Sequence, residues 1–97
     1  SGDCEVAIDI NNFSPGFLKV VNNTKDDILV IFPEYAFEAE VRPYVCQIFS
    51  LDIGYRQAEI SRCADDNCDN WVSTQYPHFY IEEGETHEIR VTDSYFY

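Results

Sequence analysis

Positive charge is scarce in this chain. Six lysines and arginines face eighteen aspartates and glutamates among 97 residues, a formal net charge of -12. Proteins that bind nucleic acid neutralise phosphates with clustered Lys and Arg, so this balance argues against that class. Apolar runs are short as well. No stretch reaches the roughly 18 residues that a membrane-spanning helix needs, and no signal-peptide pattern is present. Both absences fit the expectation of a processed chain, secreted or periplasmic. Methionine is absent, as are internal repeats and low-complexity segments. Catalytic contexts are missing too: no nucleophile sits in a setting such as G-x-S-x-G. Paired acids are trivially available among eighteen carboxylates and carry no information. The expectation is a protein that is not an enzyme.

What is present belongs to a folded body. Hydrophobic residues make up 45% and aromatics 15% of the chain, unlike disordered acidic segments, so the carboxylates must lie on the surface of a core. The length suits one domain over residues 1–97, near the size at which cross-links help. Cys4, Cys46, Cys63 and Cys68 form an even set, which reads as two disulfides in an oxidising compartment. Of the three connectivities, the short polar loop between Cys63 and Cys68 favours that pair, leaving Cys4 with Cys46 to pin the first strand to a central one. The longer loop would contribute roughly 3–4 kcal/mol in the chain-entropy model. Zinc is the rival use, but spacings of 42, 17 and 5 contain no C-x2-C knuckle.

The dominant periodicity is two. Cys4, Val6, Ile8 and Ile10 alternate with polar or small residues, as do Leu18 and Val20 in the stretch 17–21. Residues 22–26 read as a hairpin connection. Ile28 to Phe32 is a continuous apolar run that suits a strand buried on both faces and ended by Pro33. Residues 34–43 are ambiguous, since their Ala and Glu also favour a helical turn. Strands are expected over 44–53, 55–63 and 71–76, then a closing hairpin in which Phe79 and Ile81 lead out and Ile89 and Val91 return. Tyr95-Phe96-Tyr97 is either packed on an edge or an exposed tail. Seven or eight short strands with turns every 8–12 residues predict an all-β fold, a small disulfide-stapled β-sandwich. That rhythm is immunoglobulin-like in a generic, architectural sense that names no family. The Cys…Trp…Cys order of antibody domains is missing, because Trp71 follows all four cysteines.

Three acidic clusters are the candidate sites. Asp65, Asn67 and Asp69 repeat at every second position, like the start of a Ca²⁺ loop, but no Gly holds the sixth position and Tyr76 stands where the bidentate Glu belongs. The bland alternative is a polar turn. Glu34, Tyr35, Phe37, Glu38 and Glu40 interleave carboxylates with aromatics, and Glu82, Glu83 and Glu85 with Glu88 form an acidic turn. Carboxylates steer a basic protein and tyrosine supplies contact area, although the same residues also serve as a solubilising surface. His78 and His87 flank that turn, with Glu88 and Asp93 near in sequence. Asn22-Asn23-Thr24 is a glycosylation sequon, and Asn12-Phe13-Ser14 a weaker one because Pro15 follows. The function expected is an acidic extracytoplasmic module that engages a basic protein partner, as an inhibitor or immunity-type protein does. The alternative is a Ca²⁺-dependent carbohydrate-binding or adhesion module; no other cofactor is expected.

Overall fold

Alternating side chains become ten strands in the computed structural model, which describes residues 4–10, 16–65 and 67–96. They are β1 (Cys4–Asp9), β2 (Gly16–Asn22), β3 (Ile28–Phe32), β4 (Phe37–Val41) and β5 (Cys46–Leu51), then β6 (Gly54–Gln57), β7 (Glu59–Cys63), β8 (Trp71–Gln75), β9 (His78–Ile81) and β10 (Thr86–Val91). One sheet has the order β1-β5-β2-β10, a second β4-β3-β7-β8, and β6 with β9 makes a two-stranded ribbon. The architecture is all-β, as the alternation predicts. It is immunoglobulin-like only loosely, because β1 runs parallel to β5 and β10 parallel to β2.

Burial follows the pleat. Leu18 and Val20 of β2, Phe49 and Leu51 of β5, and Ile89 and Val91 of β10 supply one wall of the core. Ile28, Val30 and Phe32 of β3, Val41 of β4 and Ile60 of β7 supply the other. Phe32 meets Phe49 edge to face at 4.9 Å, which joins the sheets across one core. Phe79 and Ile81 of β9 close one part of it and Phe96 another. Both disulfides form as the spacing indicates. Cys4 and Cys46 stand directly opposite each other on β1 and β5, with Cα atoms 4.6 Å apart, and Cys63 joins Cys68.

Several expectations change because pairing partners are distant in sequence. Residues 22–26 are no hairpin: β2 and β3 lie in different sheets, and the segment crosses between them. The closing hairpin is likewise absent, since β9 pairs with β6 and β10 with β2. The stretch 55–63 splits at Ala58, whose N–H donates to the Pro77 carbonyl as the chain leaves the ribbon for the second sheet. Ambiguous residues 34–43 become a 3-10 turn at Pro33–Tyr35, Ala36 in the left-handed region, and then β4. Helix propensity loses there because Phe37, Ala39 and Val41 pair in register with β3. Tyr44 and Val45 precede β5, with Tyr44 also left-handed at φ 60. The apolar run of β3 is buried on one face only; Leu29 and Ile31 are half-buried on the outer face. Asp93–Phe96 forms a 3-10 turn that buries Phe96, and Tyr97 lies outside the described residues.

Gly16 opens β2 where the ribbon meets the first sheet. A methyl group there would clash with Ile81 Cγ2 and stand 3.1 Å from the Glu82 carbonyl oxygen. Ile81 is fully buried and Cγ2 is fixed close to its backbone, so relief requires moving β9. Gly16→Ala should therefore cost about 1–3 kcal/mol by overpacking. Urea unfolding with an unchanged m-value checks this, and a wild-type midpoint would refute the close approach.

Candidate functional site

The ribbon places aromatic residues where no core can use them. Along β6 and β9 the pleat turns Phe79 and Ile81 inward. Tyr55 and Gln57 share the opposite face with His78 and Tyr80, since Tyr55 stands opposite Tyr80 and Gln57 opposite His78. Tyr55 is 82% exposed and Tyr80 45%, and their rings meet edge to face at 4.8 Å. Tyr76, two residues before His78, is exposed as well. A cross-strand aromatic pair of this kind stiffens the ribbon while leaving most of both rings in water.

An open concavity lies at each end of this pair. One of about 290 Å³ is lined by Glu34, Tyr55, Arg56, Gln57 and His78. There Arg56 donates to the Glu34 carboxylate at 3.0 Å and to the carbonyls of Asp52 and Ile53, so the first of the expected acidic residues is neutralised and held in place. The other, of about 180 Å³, is lined by Tyr80, Glu82, Glu85, Thr86 and His87. Glu82 and Glu85 bracket a tight turn closed by a 3.1 Å bond from the Glu85 N–H to the Glu82 carbonyl, with Gly84 at φ 72. Glu83 is exposed at its tip. His87 stacks on Phe79 at 5.5 Å and forms the wall of this concavity. Unlike the outward His78 it lies on β10, a strand not paired with β9.

The aromatic members of the 34–40 cluster have structural partners. Tyr35 packs against the core and its hydroxyl donates to Asp52 Oδ2 at 3.0 Å. Burial, and the Asp52 carboxylate that it bonds, hold this phenol above its ordinary value. Phe37 also packs against the core from the inner face of β4. Glu38 and Glu40 point the other way and are exposed. The structure thus separates this cluster: Tyr35 and Phe37 lie inward, while Tyr55 and Tyr80, beside the 82–85 turn, are exposed, as are Tyr44 and Tyr76. Alternation could have found them. Tyr76-x-His78-x-Tyr80-x-Glu82 is a polar and aromatic face opposite Phe79 and Ile81.

The 65–69 segment is organised by its own hydrogen bonds. Asp65 accepts the Asp69 N–H at 3.0 Å on Oδ1 and the Asn70 side-chain amide at 2.9 Å on Oδ2. The Asn70 amide first, then the Asp69 N–H, hold this carboxyl below the usual carboxylate range. Asn67 and Asp69 are exposed, and Asp66 lies outside the described residues. Among the described residues no group of three or more His, Cys, Asp and Glu side chains is arranged to hold a metal ion.

Asn22 is fully buried and its amide is consumed by the fold, so a glycan at this sequon is incompatible with the structure. Asn12 lies outside the described residues. Lys19, Arg42, Arg56, Arg62 and Arg90 are ion-paired, to Glu5, Asp26, Glu34 and Glu88. Surface charge is therefore overwhelmingly negative, and five of the six cations are already engaged. Among the described residues no helix is long and apolar enough to cross a membrane. No family model, no curated protein and no solved structure matches this chain.

Proposed function

We propose that this protein is a non-enzymatic binding module, secreted or periplasmic, that engages a basic protein through its tyrosine ribbon and the acidic turn beside it. The observation that carries this reading is the exposed Tyr55–Tyr80 pair flanked by Glu82 and Glu85. Tyrosine supplies large contact area at low entropic cost and dominates many protein interfaces. The two concavities, of about 180 and 290 Å³, have room for single side chains rather than an enclosed substrate. An Arg or Lys seated beside Tyr80 would meet the ring face and two carboxylates together. An inhibitor or immunity-type protein that covers a cationic cleft is the sharpest form of this function. Two disulfides support an oxidising, extracytoplasmic setting. The calcium-dependent alternative draws no support from the 65–69 turn, where both Asp65 oxygens already accept hydrogen bonds.

Affinity capture from extracellular or periplasmic fluid, run in parallel with wild type and the double variant Tyr55→Ala, Tyr80→Ala, tests this reading. A cationic protein should be retained by wild type, released at moderate salt, and bound about 100-fold more weakly by the double variant. Both residues are exposed, so the variant keeps its core. A complex indifferent to both the tyrosines and the salt concentration would overturn the reading.

A further inference from the structure

The two larger sheets end in four strand edges: β1 and β10 in one, β4 and β8 in the other. An edge strand is a template for another chain unless something guards it. β1 is interrupted by a bulge between Glu5 and Ile8. β8 is irregular opposite Ile60–Arg62, with Ser73 at φ 57. β10 is regular, but its Glu88 is engaged by both Lys19 and Arg90. β4 has none of these features. It pairs with β3 residue for residue from Phe37 opposite Phe32 to Val41 opposite Ile28, and no described strand pairs with its other side.

The side chains of β4 specify what fits beside it. On the outer face Glu38, Ile31 and Glu59 form one cross-strand row, and Glu40, Leu29 and Ser61 the next. Glu38, Glu40 and Glu59 have no ion-pair partner among the described residues, and they border the half-buried Leu29 and Ile31. On the inner face Phe37 and Ala39 are only half-buried. At the Val41 end of the strand a concavity of about 290 Å³ is lined by Glu5, Glu40, Val41, Arg42, Val45 and Gln47, with Arg42 and Glu5 ion-paired to each other.

We propose that β4 is a strand-addition site for an extended basic segment of a partner, with Lys or Arg at every second position and apolar residues between. Such a segment places its cations against Glu38 and Glu40 on one face. Its apolar side chains cover Phe37 and Ala39 on the other, while main-chain bonds continue the sheet. A second copy of this chain is a poor occupant. Antiparallel pairing of two β4 strands about Ala39 would set Glu38 of each opposite Glu40 of the other, and like charges directly opposed repel. The carboxylates thus reject self-pairing and select the opposite charge.

This surface shares no residue with the tyrosine ribbon, so it stands or falls separately from the function proposed above. The probe is a short blocked peptide of alternating lysine and valine, titrated by calorimetry into the intact, oxidised protein. Binding is expected together with new amide-exchange protection along β4. Methylating alternate peptide nitrogens, which keeps the charge and removes main-chain donors, should weaken it by about tenfold or more. The double variant Glu38→Lys, Glu40→Lys should lose the lysine peptide and gain its glutamate counterpart, whereas Tyr55→Ala, Tyr80→Ala should bind as wild type does. Absence of binding, equal binding of the methylated peptide, or protection elsewhere with β4 unchanged would each overturn the proposal.

Discussion

Asn22→Ala should destabilise the protein by about 3–5 kcal/mol, a large share of what a small domain has. The side chain sits at the end of β2, fully buried. Its amide nitrogen donates to the carbonyls of Asp26 at 2.8 Å, Val41 at 2.9 Å and Arg42 at 3.1 Å. Its oxygen accepts from the Thr24 N–H at 3.1 Å and the Thr24 hydroxyl at 2.7 Å. One residue of the first sheet thereby holds the end of β4 in the second sheet and the crossing segment between them. Alanine leaves carbonyls facing a cavity too closed for bulk water, and each such loss costs about 1–3 kcal/mol. Asn22→Asp isolates the amide: the shape and the Thr24 bonds remain, but a carboxylate oxygen faces carbonyl oxygens. It should be at least as damaging as alanine. Urea unfolding of the three proteins measures this, and a loss below about 1 kcal/mol for both variants would remove Asn22 from this role.

The second large effect is expected from opening the bond between Cys4 and Cys46. These residues are 42 apart in sequence, against 5 for Cys63 and Cys68. Loop-closure entropy then assigns about 4 kcal/mol to the first bond and about 2 kcal/mol to the second. β1 also depends on it more than other strands do. It is an edge, paired in parallel with β5 alone and broken by a bulge, so few other restraints hold it. Cys4→Ala, Cys46→Ala should lower the unfolding free energy by about twice as much as Cys63→Ala, Cys68→Ala. Amide exchange should rise along β1 before the rest of the first sheet. Equal effects for the two pairs would mean that local strand pairing, not the cross-link, holds β1. The larger loss would leave the reduced chain marginal, which ties the extracytoplasmic setting proposed for this module to its stability.

The charge imbalance gains spatial meaning from the fold. Uniform excess charge would only repel copies from one another. Here five of the six cations are spent locally, as Arg56 is on Glu34 and Arg42 on Glu5, and Glu38, Glu40, Glu59, Glu82 and Glu85 have no ion-pair partner among the described residues. Glu82 and Glu85 adjoin exposed tyrosine, and Glu38, Glu40 and Glu59 border half-buried Leu29 and Ile31. Carboxylates beside apolar area can both steer a cation and desolvate it, which those in a bare acidic turn cannot.

Much of this was readable in the chain, for a local reason. Period-two alternation reports which side chains share a face, so β2, β5 and the all-β class follow from Leu18 and Val20 or Phe49 and Leu51 without any coordinates. Cysteine spacing gives the two disulfides because a short loop of four residues, three of them polar, can close on itself. Alternation cannot say which strand lies alongside which, since pairing depends on residues far apart in sequence. It therefore could not separate β9 from β10, divide 55–63 between ribbon and sheet, or turn Tyr35 and Phe37 inward while leaving Tyr55 and Tyr80 in water. Nor could it show that the Asn22 sequon is a buried joint between sheets. The sequence by itself determined the strands, the cross-links and the sign of the surface; only the tertiary structure decided which carboxylates keep company with apolar side chains, because that depends on cross-strand neighbours that the chain order does not encode.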